Sequence, residues 1–148
     1  MSVILRQKLD LEEKLALMKE DAKFEVGSDL DAESTVLACA LEIKSRPRPA
    51  KVPKMFLASG CIFNCSYCGC RCSREERSNY CNTPAELAQM AVPSAYENGH
   101  GVFLSSAIYK NADYTQELLA ESSRIMREEL GYKGYLHVKI MPGADPEL

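Results

Sequence analysis

Lys54-Met-Phe-Leu-Ala-Ser-Gly-Cys-Ile-Phe-Asn-Cys-Ser-Tyr-Cys68 joins a short, mostly apolar run to three closely spaced cysteines, with Gly60 between them. The run has the length and composition of a buried strand, and the glycine delivers it into a loop. Three thiols in such a loop, Cys61, Cys65 and Cys68, can converge on one inorganic cluster and leave one coordination position empty. Iron–sulfur clusters are held by cysteine thiolates, and a cubane with a protein ligand on every iron ordinarily just carries electrons. Three ligands therefore point to an enzyme.

Downstream, the text alternates. Thr83-Pro-Ala-Glu86 is a capping box with proline at the first helical position, opening a helix that runs toward Gly99. Pro93 is expected to kink that helix or end it early. Gly101-Val-Phe-Leu-Ser105 reads as a second strand. Residues 113–130 read as a helix, with Leu118, Leu119, Ile125, Met126 and Leu130 near one face and Gly131 as its stop. Gly134-Tyr-Leu-His-Val-Lys-Ile140 reads as a third strand, closed by Met141-Pro-Gly143. Strand, helix, strand, helix, strand is the grammar of parallel β/α units with right-handed crossovers. The expected class is α/β, with parallel strands and crossover helices. The pattern stops at Leu148, which would leave unpaired edges. The expectation is the front portion of a larger barrel.

Upstream, residues 4–21 place Leu5, Leu9, Leu11, Leu15 and Met18 near helical spacing. Residues 24–45 suit either a short helix or a strand. Arg46-Pro-Arg-Pro-Ala-Lys-Val-Pro53 is expected to break regular structure as a linker or strap. The organisation expected is 1–53 as an N-terminal helix and Pro-rich lead-in, and 54–148 as a partial core.

The chain has 148 residues, 46% of them hydrophobic, and a net charge of −3, the size and composition of one ordinary domain. That charge gives no global reason to bind nucleic acid or an anionic membrane, so any such binding is local. No stretch is apolar enough for a transmembrane span, and the N-terminus meets charge too soon for a secretory signal. The expected location is cytoplasmic, without a membrane partner. Seven cysteines, six of them within 61–81, then favour metal over disulfides.

The CxxxCxxC spacing, with the aromatic Tyr67 before its last cysteine, resembles the signature of the radical S-adenosylmethionine (radical SAM) enzymes. The resemblance implies that Cys61, Cys65 and Cys68 hold a [4Fe–4S] cluster whose fourth iron is chelated by S-adenosylmethionine. It implies reductive cleavage of that cosubstrate to a 5′-deoxyadenosyl radical, which abstracts hydrogen from a substrate. The implied fold is the front portion of a partial (β/α) TIM-type barrel, with the cluster loop at the carboxyl end of the strands. Tyr67 would lie near the adenine, or simply pack the loop. Ser105-Ser106-Ala107 stands where the family receives the methionine amino group, or is a small-residue turn.

His137 and Lys139 share one face of a period-two strand. They meet a substrate anion or the SAM carboxylate, or else they face solvent. Cys70, Cys72 and Cys81 suit a second cluster, a zinc site or spare thiols, and Cys39 a buried apolar position. Arg71, Arg74 and Arg77 suit phosphates or a solvated loop.

More of the text resembles one branch of that superfamily, radical SAM proteins assigned to DNA modification or repair and linked to a uracil-DNA-glycosylase-like partner. The words carrying this are Lys23-Phe-Glu-Val26, Gly101-Val-Phe-Leu-Ser-Ser106, Asp113-Tyr-Thr-Gln-Glu-Leu118 and Gly134-Tyr-Leu-His-Val-Lys-Ile-Met-Pro-Gly-Ala-Asp-Pro-Glu-Leu148. The resemblance implies a nucleic-acid substrate, an external electron donor, and either the glycosylase-like partner or a chain completing the barrel. Two departures stand out: Gly27-Ser28 where the branch carries a cysteine, and two added cysteines in Gly69-Cys-Arg-Cys-Ser-Arg-Glu-Glu-Arg77. The alternatives are a fully ligated electron-transfer module, a structural metal domain, or an inactive truncated fragment that binds a cluster.

Overall fold

The computed structural model describes residues 9–22, 40–43, 50–73, 79–97 and 101–148. Along the chain these form α1 (Leu11–Ala22), β1 (Ala40–Ile43), β2 (Ala50–Phe56), α2 (Pro84–Glu97), β3 (Gly101–Ser105), α3 (Ala112–Arg124) and β4 (Tyr135–Val138). One π-helical turn, Ile125–Glu129, extends α3. The strands form one sheet in the order β1-β2-β3-β4, antiparallel between β1 and β2 and parallel from β2 through β3 to β4. The protein is thus α/β, with three parallel strands in sequential order. Helices α2 and α3 pack on each other as well as on the strands, so both crossovers lie over the same face.

Strand alternation explains that face. Met55 and Leu57 on the β2 run, with Val102 and Leu104 on β3, enter the core with Leu87, Ala88, Ala91 and Ala95 of α2 and Leu119 of α3. The alanines keep the contact surface of α2 small, which lets it sit close to the sheet. Met126 in the π turn and Tyr132 after it close the far side of the same core. Leu118 and Ile125 pack at its margin, while Leu130 is exposed. Gly131, at φ 62°, ends the helix in the left-handed region as expected.

Helix starts are fixed by side chains. Asp10 and Glu13 exchange backbone bonds of 2.8 and 2.9 Å, so α1 begins at Leu11. The longer helix expected from residue 4 includes Leu5, which lies outside the described residues. For α2, the Thr83 N–H donates to Glu86 Oε2 at 2.8 Å and the Glu86 N–H to Thr83 Oγ1 at 3.2 Å, the reciprocal capping box. Glu86 also receives both bonds of Lys14 Nζ at 2.8 Å, tying α1 to α2. Burial by itself would raise the Glu86 carboxyl, but Lys14 and Thr83 together hold it below its ordinary value.

One expectation changes and two are narrowed. Pro93 neither ends α2 nor shortens it; the helix continues to Glu97. Pro93 and Gln89 are both exposed, so the carbonyl that loses its donor faces water while the inner face packs undisturbed. Second, the proline-rich strap is strand in its latter half, since β2 begins at Ala50 and pairs Pro53 with Ala40 at the end of the β1 ladder. A missing donor is tolerated there, and the parallel ladder with β3 begins one residue later at Lys54. Third, the ambiguous segment 24–45 contains a strand at Ala40–Ile43. Lys23-Phe-Glu-Val26, Gly27-Ser28, Cys39, Arg74, Arg77 and Gly99 lie outside the described residues.

Glu86→Ala removes half a capping box and the carboxylate of a part-buried ion pair together, so urea denaturation should show a loss of about 1–2 kcal/mol. Thr83→Ala should cost about 1 kcal/mol. A double-mutant cycle with Lys14→Met should return a favourable Lys14–Glu86 coupling.

Candidate metal centre

The cysteine loop leaves the sheet at the carboxyl end of β2 and is tied there by backbone bonds. Beyond the regular ladder, the Leu57 N–H donates to the Ser105 carbonyl and the Ala107 N–H to the Ala58 carbonyl, both at 2.9 Å, and the Ile62 N–H reaches the Ile108 carbonyl at 3.0 Å. Parallel strands bring their carboxyl ends to one edge, so the loops after β2 and β3 meet. The returning chain is held as firmly: Asn82 Nδ2 donates to the Phe56 carbonyl at 2.9 Å, and the Tyr80 N–H to Ser59 Oγ at 3.0 Å.

Within the loop, residues 61–63 run beside 70–72. The Cys61 N–H donates to the Cys70 carbonyl at 3.1 Å and the Cys72 N–H to the Phe63 carbonyl at 3.0 Å. The turn between them is closed by the Cys68 N–H on the Cys65 carbonyl at 3.0 Å and by Arg71 Nη1 on the Ser66 carbonyl at 2.7 Å. Arg71, expected to serve phosphate or solvent, thus braces the loop.

All three spaced thiols are free. Cys61 and Cys68 are half-buried and Cys65 is exposed. Backbone N–H groups already address two of the sulfurs, Phe63 to Cys61 Sγ at 3.5 Å and Cys70 to Cys68 Sγ at 3.4 Å. Hydrogen bonds to sulfur of this kind tune cluster thiolates. Soft donors at this spacing fit an iron–sulfur cluster, but the sulfurs are not gathered: among the described residues no group of three or more His, Cys, Asp or Glu is placed to hold a metal ion.

The other expected residues fall into two groups. Ser105 and Ser106 stand beside the loop, at the end of β3. Ser106 Oγ donates to the Ala107 carbonyl at 2.6 Å and accepts the Ala58 N–H at 3.2 Å, so it helps hold the two strand ends together. Ser105 is fully buried and its Oγ has no hydrogen-bond partner among the described residues. Tyr67 is the outlier, 90% exposed at the tip of the loop.

His137 and Lys139 do share a face, the one turned away from the helices. Register places Lys54, Phe103 and His137 side by side across β2, β3 and β4. Lys54 Nζ lies 5.0 Å from the centre of the Phe103 ring, and the Phe103 and His137 rings are 4.6 Å apart. Tyr135 Oη is 3.1 Å from His137 Nδ1. His137 is exposed and Lys139 half-buried.

Lys54 escaped the sequence reading, although a lone lysine in an apolar strand was the available signal. Burial, and next the charge of Lys139, lower its ammonium to about 8, against which Cys70 pulls upward. Burial pushes the Cys70 thiol up to about 12, with Cys68 and Cys61 acting in the same direction and Lys139 opposing. Burial also raises Cys81. Two lysines and three cysteines therefore share one electrostatic neighbourhood at the carboxyl edge of the sheet.

Comparison with protein-family models, with curated proteins and with solved structures finds no match. Among the described residues no helix is long and apolar enough to cross a membrane.

The folded protein releases the Lys54 proton at lower pH than the unfolded chain, whose lysine keeps its ordinary value near 10.5. The unfolded state then binds more protons between about pH 8 and 10.5, so Lys54 makes stability rise with pH across that window. Lys54→Met should stabilise the protein at pH 7 by roughly 1 kcal/mol, the desolvation relieved outweighing the lost ring contacts. Denaturation measured at pH 7 and 10 should show that advantage shrinking at the higher pH.

Proposed function

We propose that this chain is the opening portion of a radical SAM barrel and that Cys61, Cys65 and Cys68 hold a [4Fe–4S] cluster. The observation that carries the reading is positional: the CxxxCxxC loop follows the first parallel strand of a sequentially ordered β/α sheet, at the edge where active sites of such folds collect. Cluster and S-adenosylmethionine together supply one-electron cleavage of a sulfonium and, from it, hydrogen-atom abstraction. The chain's own residues bind and orient. The Phe63 and Cys70 N–H groups donate to ligand sulfurs, and the exposed Cys65 is the thiol with room to turn inward.

Ser105 Oγ, buried without a partner among the described residues, is the hydroxyl offered to the cosubstrate's amino group. On the face turned away from the helices, the half-buried Lys139 and the exposed His137 stand beside the buried Lys54, and lysine charge there suits the phosphate of a nucleic-acid substrate. The resemblance adds an external electron donor and a partner, either glycosylase-like or barrel-completing. Free thiols in this number suit a reducing cytoplasm. A fully ligated electron-transfer cluster is the second reading, favoured by one observation, the closeness of Cys70 to Cys68.

Anaerobic reconstitution with iron and sulfide, reduction with dithionite and addition of S-adenosylmethionine should yield 5′-deoxyadenosine. Cys65→Ala should abolish the product. Ser105→Ala should keep the cluster while raising the cosubstrate concentration needed about tenfold, the size of one hydrogen bond to a charged group. A reduced cluster that gives no 5′-deoxyadenosine contradicts the reading.

A further inference from the structure

The face of the sheet turned away from the helices carries a primary amine in apolar surroundings. Lys54 is 9% exposed, and its Nζ stands 5.4 Å from the centre of the Phe56 ring and 5.0 Å from that of Phe103. Register sets His137 on the far side of Phe103, two strand spacings and therefore about 10 Å from Lys54 between Cα atoms. The Phe103 and His137 rings lie 4.6 Å apart, and Tyr135 Oη meets His137 Nδ1 at 3.1 Å, which leaves Nε2 to serve a further group. His137 is exposed, and Lys139, two residues on along the same face, is half-buried. The amine is therefore approached over Phe103 from the His137 side. Desolvation and a neighbouring cation are two means by which a lysine becomes a nucleophile. Both act on Lys54, since burial first and Lys139 next lower it to about 8, with Cys70 opposing.

We propose that Lys54 Nζ is a nucleophilic amine that forms an imine with an aldehyde or ketone bearing a negative charge, with Lys139 holding the anionic group and His137 moving the proton. The inference uses only side chains of the sheet and does not depend on a metal cluster. The neutral amine adds to the carbonyl carbon, and a C–N bond forms as the C=O π bond opens. One proton passes from nitrogen to oxygen through His137 Nε2, giving a carbinolamine. That adduct loses water as the C=N bond forms, so both hydrogens of the amine leave with the carbonyl oxygen. Nothing is oxidised or reduced. At pH 7 an amine near 8 holds roughly 300-fold more of its neutral form than an ordinary lysine near 10.5. The rings of Phe56 and Phe103 keep water from the nitrogen, and with it the hydrolysis that would reverse the step.

The test incubates the full chain with glyoxylate and cyanoborohydride, which reduces an imine to a stable secondary amine, and locates the adducts by peptide mass spectrometry. The exposed Lys133 serves as the internal reference. At pH 7 Lys54 should be labelled about tenfold faster than Lys133, and its own rate should level off above a midpoint near pH 8. Lys54→Met should remove that adduct and leave the others. His137→Gln should slow labelling of Lys54 without moving the midpoint. Lys139→Met should move the midpoint upward and erase the preference for glyoxylate over the uncharged glycolaldehyde. Circular dichroism matching wild type in these two variants separates such effects from unfolding. Adducts on exposed lysines with none at Lys54 overturn the proposal, as does labelling of Lys54 that climbs only near pH 10.5. Equal labelling of wild type by glyoxylate and glycolaldehyde overturns the anionic substrate class and the role of Lys139.

Discussion

Pairing between the segments that follow β2 and β3 is the constraint on which the rest depends. The bonds from Leu57 to Ser105, from Ala107 to Ala58 and from Ile62 to Ile108 carry two parallel strands past the end of their regular ladder. They turn a cysteine-rich loop, which on its own has little apolar surface to bury, into a fixed extension of the sheet. Every side chain of the candidate site is referred to that edge: Ser105 and Ser106 by sitting in the pairing, the thiols by following it, Lys139 by the bond from its N–H to the Leu104 carbonyl at 2.9 Å.

The two faces of the sheet then differ in what they carry. Helices α1, α2 and α3 bury one face, and the Lys14–Glu86 pair joins the first of them to the second. The opposite face keeps Lys54 and Phe103, both buried, beside the exposed Tyr135 and His137. Lys54 is the costly member, since burial and Lys139 both work against its charge. Its aromatic neighbours recover part of that cost through cation–π contact.

Much of the fold was legible in the sequence because its signals are local. The capping box at Thr83, the apolar run of β3 and the glycine after α3 each act within a few residues, and each was found where its side chains implied. Pro93 left a kink or an early end open, and the helix runs on to Glu97, because proline's penalty depends on which side of the helix loses its bond, a tertiary fact. Pro53 misled because a strand end next to a change of partner tolerates it. The candidate site was legible only as residue types. Nothing in the text says that Lys54 lies across from Phe103 and His137, since register joins residues far apart in the chain. Nor does spacing distinguish Cys70 from Cys72, which differ in burial and not in chemistry.

The proposed function stands or falls on whether Cys61, Cys65 and Cys68 together hold one cubane cluster. Iron and acid-labile sulfide counted per chain after anaerobic reconstitution and desalting test it most directly. The account predicts about four of each in wild type, falling to background when all three cysteines are replaced by alanine and unchanged when Cys72 and Cys81 are replaced instead. Equal iron and sulfide in the triple-alanine protein, or none in wild type, would contradict it.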